Sequence, residues 1–208
     1  MKSIAITYNR ILQNKWFWVL FTGCFTLFFA NASFAAGTVT ASQTAQNMLR
    51  NLGTIGGVIE AISLIIGVGL ILGAFFRFKL YGQMRGNFMS YQMTLSGPLV
   101  VFISGVLLLL LPTVLKSSLL AFWGSSNPLA YTGEHSGPWS SFTPVIIVFI
   151  RVVGVVAFIR GVMLLPRAAG GTQAQPGTLS KALLHMLGGI MCINVVATHQ
   201  LLASLLPI

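Results

Sequence analysis

Apolar runs of bilayer length recur along the chain, separated by short polar and basic stretches. They extend approximately over Thr54 to Phe76, Thr94 to Leu115, Phe142 to Leu165 and Ala182 to Leu206. A bilayer-crossing helix needs about 20 residues, so each run predicts one membrane pass. A shorter apolar run, Trp16 to Ala30, follows three cations (Lys2, Arg10, Lys15) and precedes two small-x-small steps, Ala30-Asn31-Ala32 and Ser33-Phe34-Ala35. This is the order of a secretory signal peptide. The segment is either cleaved, after Ala32 or preferably Ala35, or kept as a first membrane helix. Between it and the first long run, Gly37 to Gly53 is rich in Thr, Ser, Gln and Asn and reads as a polar lead-in.

The pattern predicts an all-α integral membrane fold of four transmembrane helices after the leader. Its divisions are residues 1–35 (signal peptide or N-terminal helix), 36–53 (polar periplasmic lead-in), 54–115 (first helical hairpin), 116–141 (periplasmic loop) and 142–206 (second helical hairpin). Thr94-Leu95-Ser96 recurs 84 residues later as Thr178-Leu179-Ser180, and Gly105 and Gly189 keep that offset. Both triplets open an outward-going helix, where Thr or Ser can cap free backbone N–H groups. The two hairpins are then parallel repeats, unless the triplet recurs only as a common cap.

Composition agrees, with 55% hydrophobic and 7% charged residues, where an ordinary soluble domain has about 25% charged. Twelve Lys and Arg face only two acids, Glu60 and Glu134, which leaves no carboxylate pair for acid-base catalysis. The cations are spread singly between apolar runs rather than gathered on one face, so nucleic acid is not an expected partner. Arg77, Lys79 and Arg85 follow the first long run, and Arg167 and Lys181 fall between the third and fourth. Short cytoplasmic loops retain Lys and Arg, so these five mark basic cytoplasmic loops. The mature N-terminus and the C-terminus are then periplasmic in a bacterial inner membrane. Aromatics interleaved with the first basic cluster suit anionic headgroups or a cytoplasmic protein.

Candidate chemistry is sparse. Cys24 and Cys192 lie in separate apolar runs and form no disulfide framework. Glu134 and His135 lack a third metal ligand, and no metal or cofactor is expected. Trp123, Tyr131 and Trp139 suit the headgroup zone of the outward loop. Gly56, Glu60, Ser63 and Gly67 share one helical stripe, and Gly154, Gly188 and Gly189 add small residues that let helices approach. Glu60 and Arg151 occupy corresponding helices at depths about three residues, or 4 to 5 Å, apart. They either pair directly or through water, joining the hairpins, or face partner subunits. A proton path through His185 and His199 is conceivable, but they stand about 21 Å apart along a helix axis, and packing or subunit contact is the favoured expectation.

A secretory leader followed by two glycine-rich hairpins with basic inward turns resembles the small inner-membrane components of Dot/Icm (type IVB) secretion systems. The resemblance is closest to the IcmC/DotE family, with DotV, IcmD/DotP and TraQ-type conjugation proteins related. It rests on Leu49-Arg50-Asn51-Leu52, the Gly67 to Phe78 helix end, Thr94-Leu95-Ser96-Gly97, Leu107 to Pro112 with Gly105, and Thr178-Leu179-Ser180 with Gly188-Gly189. It implies a non-enzymatic subunit of an envelope-spanning export machine, packed among other inner-membrane subunits in a homo- or hetero-oligomer, with energy supplied by separate ATPases. The competing expectation is a small transporter or channel that uses Glu60, Arg151 and His185 within the bilayer.

Overall fold

In a computed structural model the described residues are 40–84, 95–129, 142–169 and 177–206. All the regular structure among them is helical: α1 (Ala41–Met84), α2 (Ser96–Leu109), α3 (Leu111–Trp123), α4 (Thr143–Ala168), α5 (Thr178–Ile193) and α6 (Val195–Leu205). The chain divides into two compact units, residues 1–48 and 49–208. The described part of the first unit is Thr40 and the opening turns of α1; the leader lies outside the described residues. Arg85, Glu134, His135, Tyr131 and Trp139 also lie outside them.

Two helices, α1 and α4, are long and apolar enough to cross a membrane, and up to four passes result if each bent pair counts as one span. α1 takes in the Thr-, Gln- and Asn-rich stretch from Ala41 onward as well as Arg77 and Lys79, so these two cations ride on a helix end and not in a loop. Arg167 stands in the last turn of α4, and Lys181 is exposed in the first turn of α5.

The second and fourth apolar runs do not continue straight. α2 and α3 meet at Leu110 with a bend of 87°, and α5 and α6 meet at Asn194 with a bend of 98°. Pro112 stands at the first break, in the first turn of α3. It has no N–H to offer the carbonyl four residues back and its ring crowds that carbonyl, so the bond to Leu108 is lost. Ser63 on α1 turns its hydroxyl toward the Leu108 oxygen at 3.4 Å, which also accepts from the Leu110 N–H. The second break lacks a proline; there Thr198 Oγ1 donates to the Met191 carbonyl at 3.0 Å, across the bend.

The expectation that Thr178 caps its helix is corrected. Gly177, left-handed at φ 81°, occupies the cap position and Thr178 is the first helical residue, buried. Likewise Lys116 to Trp123 belongs to α3 rather than to a loop.

The core lies where the two long helices and three of the short ones, α2, α3 and α5, converge. Leu108, Leu111, Phe158, Ile159, Val162 and Ile190 are buried together, with Ile59, Ile66, Val155, Met186 and Trp123 against them. Trp123 is thus a packing residue, half-buried on this cluster, and its indole Nε1 is enclosed without a hydrogen-bond partner among the described residues.

Candidate functional site

Two helix crossings organise the polar residues. At the first, α1 meets α2 backbone to backbone. A Cβ on Gly67 would lie 2.8 Å from the Leu109 nitrogen and 2.9 Å from the Gly105 oxygen. A Cβ on Gly105 would lie 2.9 Å from the Gly67 oxygen and 3.0 Å from the Ile71 nitrogen. At the second, a Cβ on Gly154 would meet the Gly189 oxygen at 2.7 Å and the Ile193 nitrogen at 2.9 Å, and one on Gly189 the Phe158 nitrogen at 2.8 Å. Real Cβ atoms do not approach backbone this closely, so glycine is required at all four positions.

The two crossings correspond residue by residue. Gly67 and Ile71 match Gly154 and Phe158 at an offset of 87, while Gly105, Leu109 and the break at Leu110 match Gly189, Ile193 and the break at Asn194 at an offset of 84. The offset of 84 between Gly105 and Gly189 therefore has a counterpart in the two crossings, while Thr94 lies outside the described residues. Two of the expected packing glycines are not in contacts: Gly56 and Gly188 have open space where a Cβ would stand. Helical periodicity identified the stripe of Gly188 and Gly189 but not which of the adjacent pair faces α4.

Glu60 and Arg151, expected to meet, form no ion pair among the described residues. Arg151 is half-buried and its Nη2 donates to the carbonyl of Leu129, in the stretch that follows α3. The Leu129 N–H in turn donates to Asn194 Oδ1 at 3.0 Å. One peptide residue is thus gripped from both sides by α4 and by the α5–α6 break. Asn194 is fully enclosed. Its Nδ2 and the Arg151 Nε are buried donors with no acceptor among the described residues. This node was not legible in the sequence, where Asn194 looked like one polar residue among several near the chain's end.

Glu60 lies elsewhere, exposed on α1, with only its backbone carbonyl engaged, by Ser63 Oγ at 2.8 Å. The covered side of α1 carries Ile59, Ser63 and Gly67, while Glu60 lies on the exposed side, which runs on to Val68, Leu72, Phe75 and Phe76. Gly53, Gly56 and Gly57, around Glu60 on this part of α1, have nothing within 4 Å of an added Cβ. A charged side chain in an apolar span costs about 2.5 to 3.5 kcal/mol on insertion scales, which gives Glu60 a need for a partner.

His185 does not join these groups; its Nδ1 lies 2.8 Å from the Lys181 carbonyl on its own helix. Among the described residues no cluster of three or more His, Cys, Asp or Glu could hold a metal. Cys192 is a free, half-buried thiol beside the Gly154 crossing. Among the described residues the site is therefore a set of close helix contacts, one polar node and one carboxylate without an ion pair. No protein-family model, no curated protein and no solved structure matches the chain.

Proposed function

We propose that the protein is a non-enzymatic structural subunit of a type IVB (Dot/Icm-like) secretion apparatus in a bacterial inner membrane, supporting export of effector proteins. The observation that carries the reading is the pair of equivalent backbone-to-backbone crossings, Gly67 with Gly105 and Gly154 with Gly189. Two parallel-repeated helical hairpins held by such contacts make a rigid membrane scaffold whose remaining faces are free for neighbouring subunits. The polar groups at depth serve the scaffold: Arg151 and Asn194 hold Leu129, and Ser63 and Thr198 bond carbonyls beside the breaks. With the leader starting inside, Arg77, Lys79, Arg85, Arg167 and Lys181 all fall on the cytoplasmic side and both mature termini on the periplasmic side. Catalysis is assigned to other components.

A strain lacking the protein should grow normally in medium and lose effector export, and the protein should leave the membrane in gentle detergent together with other envelope subunits. Failure to grow that is tied to one solute overturns the proposal. The second reading, a small transporter or channel, draws on the broken helices, since discontinuous helices build substrate sites in transporters. Solute flux by the purified chain alone in liposomes, lost on replacing Arg151, would favour it.

A further inference from the structure

On the reading of the chain as a membrane protein, and independently of the export role proposed for it, we infer that α6 is a lipid-binding surface helix. It lies flat at the edge of the bilayer, with its leucines on phospholipid acyl chains.

The direction and level of α6 follow from its neighbours. α5 runs antiparallel beside α4: an added Cβ on Gly161 would meet the Ala182 oxygen at 2.8 Å, and one on Gly154 the Ile193 nitrogen at 2.9 Å. α4 is long and apolar enough to cross a membrane. α5 keeps to its line, and α6, bent from α5 by 98°, runs in the plane of the bilayer. Ile193 meets Gly154, which stands thirteen residues, or about 20 Å, along α4 from the exposed Arg167. With that arginine at one edge of a hydrocarbon layer about 30 Å thick, α6 sits about 10 Å inside the other edge. Interfacial helices sink their apolar faces about 5 to 10 Å.

One bond fixes which side of α6 faces the membrane interior. Thr198 Oγ1 donates to the Met191 carbonyl at 3.0 Å, so the Thr198 side looks back along α5. Leu201, Leu202 and Leu205 stand three, four and seven residues after Thr198 and share that side. His199, Gln200 and Ser204 take the other. Beneath Thr198, Leu184, Leu187 and Met191 form an exposed flank of α5, so both arms of the bend are apolar on its inside.

α3, the other helix bent out of its run, is closed underneath by the chain itself: Leu111 and Leu119 are buried, with Val114 and Leu115 against the Phe158 cluster. On α6 only Ala197 is buried, and every residue from His199 to Leu205 is exposed. Beyond Thr198, which is bound to α5, the leucine face has none of the small residues that let a second helix pack closely. Acyl chains fit it without such a requirement. α6 holds no Lys, Arg, Asp or Glu, so apolar insertion and not attraction to anionic headgroups supplies the binding.

The test places one environment-sensitive fluorophore on the full-length chain, with Cys24 and Cys192 replaced by alanine, at Leu202, Leu205, Gln200 or Ala203 in phosphatidylcholine vesicles. At Leu202 and Leu205 the emission should shift to the blue and be quenched by lipids with a nitroxide on the acyl chain, but not by aqueous iodide. At Gln200 and Ala203 iodide should quench it. Adding phosphatidylglycerol should change neither pattern. Leu201→Glu should turn the Leu205 site toward iodide, and Leu201→Phe should not. A fluorophore at Ile65, exposed on the bilayer-length α1, separates two failures. If Ile65 lies in the acyl chains while all four α6 sites meet iodide, α6 stands off the membrane and the inference is wrong; if Ile65 meets iodide too, the membrane reading falls with it. Acyl-chain quenching at all four sites would make α6 a continued span, and shielding of Leu202 and Leu205 from both quenchers would make their cover a protein. Either result, or insertion that requires phosphatidylglycerol, overturns the inference.

Discussion

The two crossings share a backbone plan and differ in how the space beyond each bend is filled. In the α1–α2 half, the break falls in a run of leucines followed by Pro112, and the nearest polar help is a 3.4 Å approach of Ser63 to the Leu108 carbonyl. In the α4–α5 half, the break is Asn194, enclosed, with its side chain, Arg151 and the Leu129 peptide linked in sequence. One half has a proline at its break; the other uses hydrogen bonds and brings a third segment against its break. The shape common to both therefore follows from the glycine contacts and not from the residue at the break.

The strongest way to break that comparison is to remove the contact the halves share. Gly154→Leu and Gly67→Leu should each destabilise the fold by about 3 kcal/mol, at the upper end of overpacking costs because backbone is what the new side chain meets. Thermal unfolding in detergent measures this, and tolerance of either variant would show that its half is not held by the crossing. Asn194→Ala should cost about 1 to 3 kcal/mol by leaving the Leu129 N–H without its acceptor. Leu110→Ala, at a half-exposed position in the corresponding break, should cost less. Equal losses from the two would dissolve the distinction between a polar and an apolar break.

Pro112→Ala tests the cause of the bend. Because the other half bends without a proline, the α2–α3 angle should survive and stability should change by no more than about 1 kcal/mol, the usual range for compatible proline substitutions. Spin-label distances between α2 and α3 would reveal straightening, which would mean that the halves reach one shape by different means. The smallest effect belongs to Gly188→Ala. With open space at its Cβ position, it should be neutral or gain up to about 1 kcal/mol from helix propensity, in contrast to Gly189 beside it.

Much of this was legible in the sequence. The four apolar runs contain the core helices, and Gly105 and Gly189, 84 residues apart, fall at the two corresponding crossings. Gly67, Gly105, Gly154 and Gly189 were all among the expected packing residues. The bends were not read, although Pro112 carried a signal for the first: a proline deep in an apolar run removes the bond to the carbonyl four residues earlier. For Asn194 no local signal exists, since its role depends on Leu129, 65 residues away. The same limit applies to Glu60 and Arg151. Matching depth can be counted along helices, but whether two side chains meet depends on which way the neighbouring helices turn.

The right-angle bends have a consequence for the lipid around the protein. α2 has 14 residues and α5 has 16, lengths of about 21 and 24 Å at 1.5 Å per residue. α4, with 26 residues, reaches about 39 Å. A hydrocarbon layer is about 30 Å thick, so acyl chains beside α4 meet a complete wall, while those beside α2 and α5 meet one several ångströms short. Membranes accommodate such a mismatch by thinning locally. In a bilayer, the protein should therefore be flanked by a thinner membrane on the side of its short helices, with α3 and α6 lying along the depressed surface.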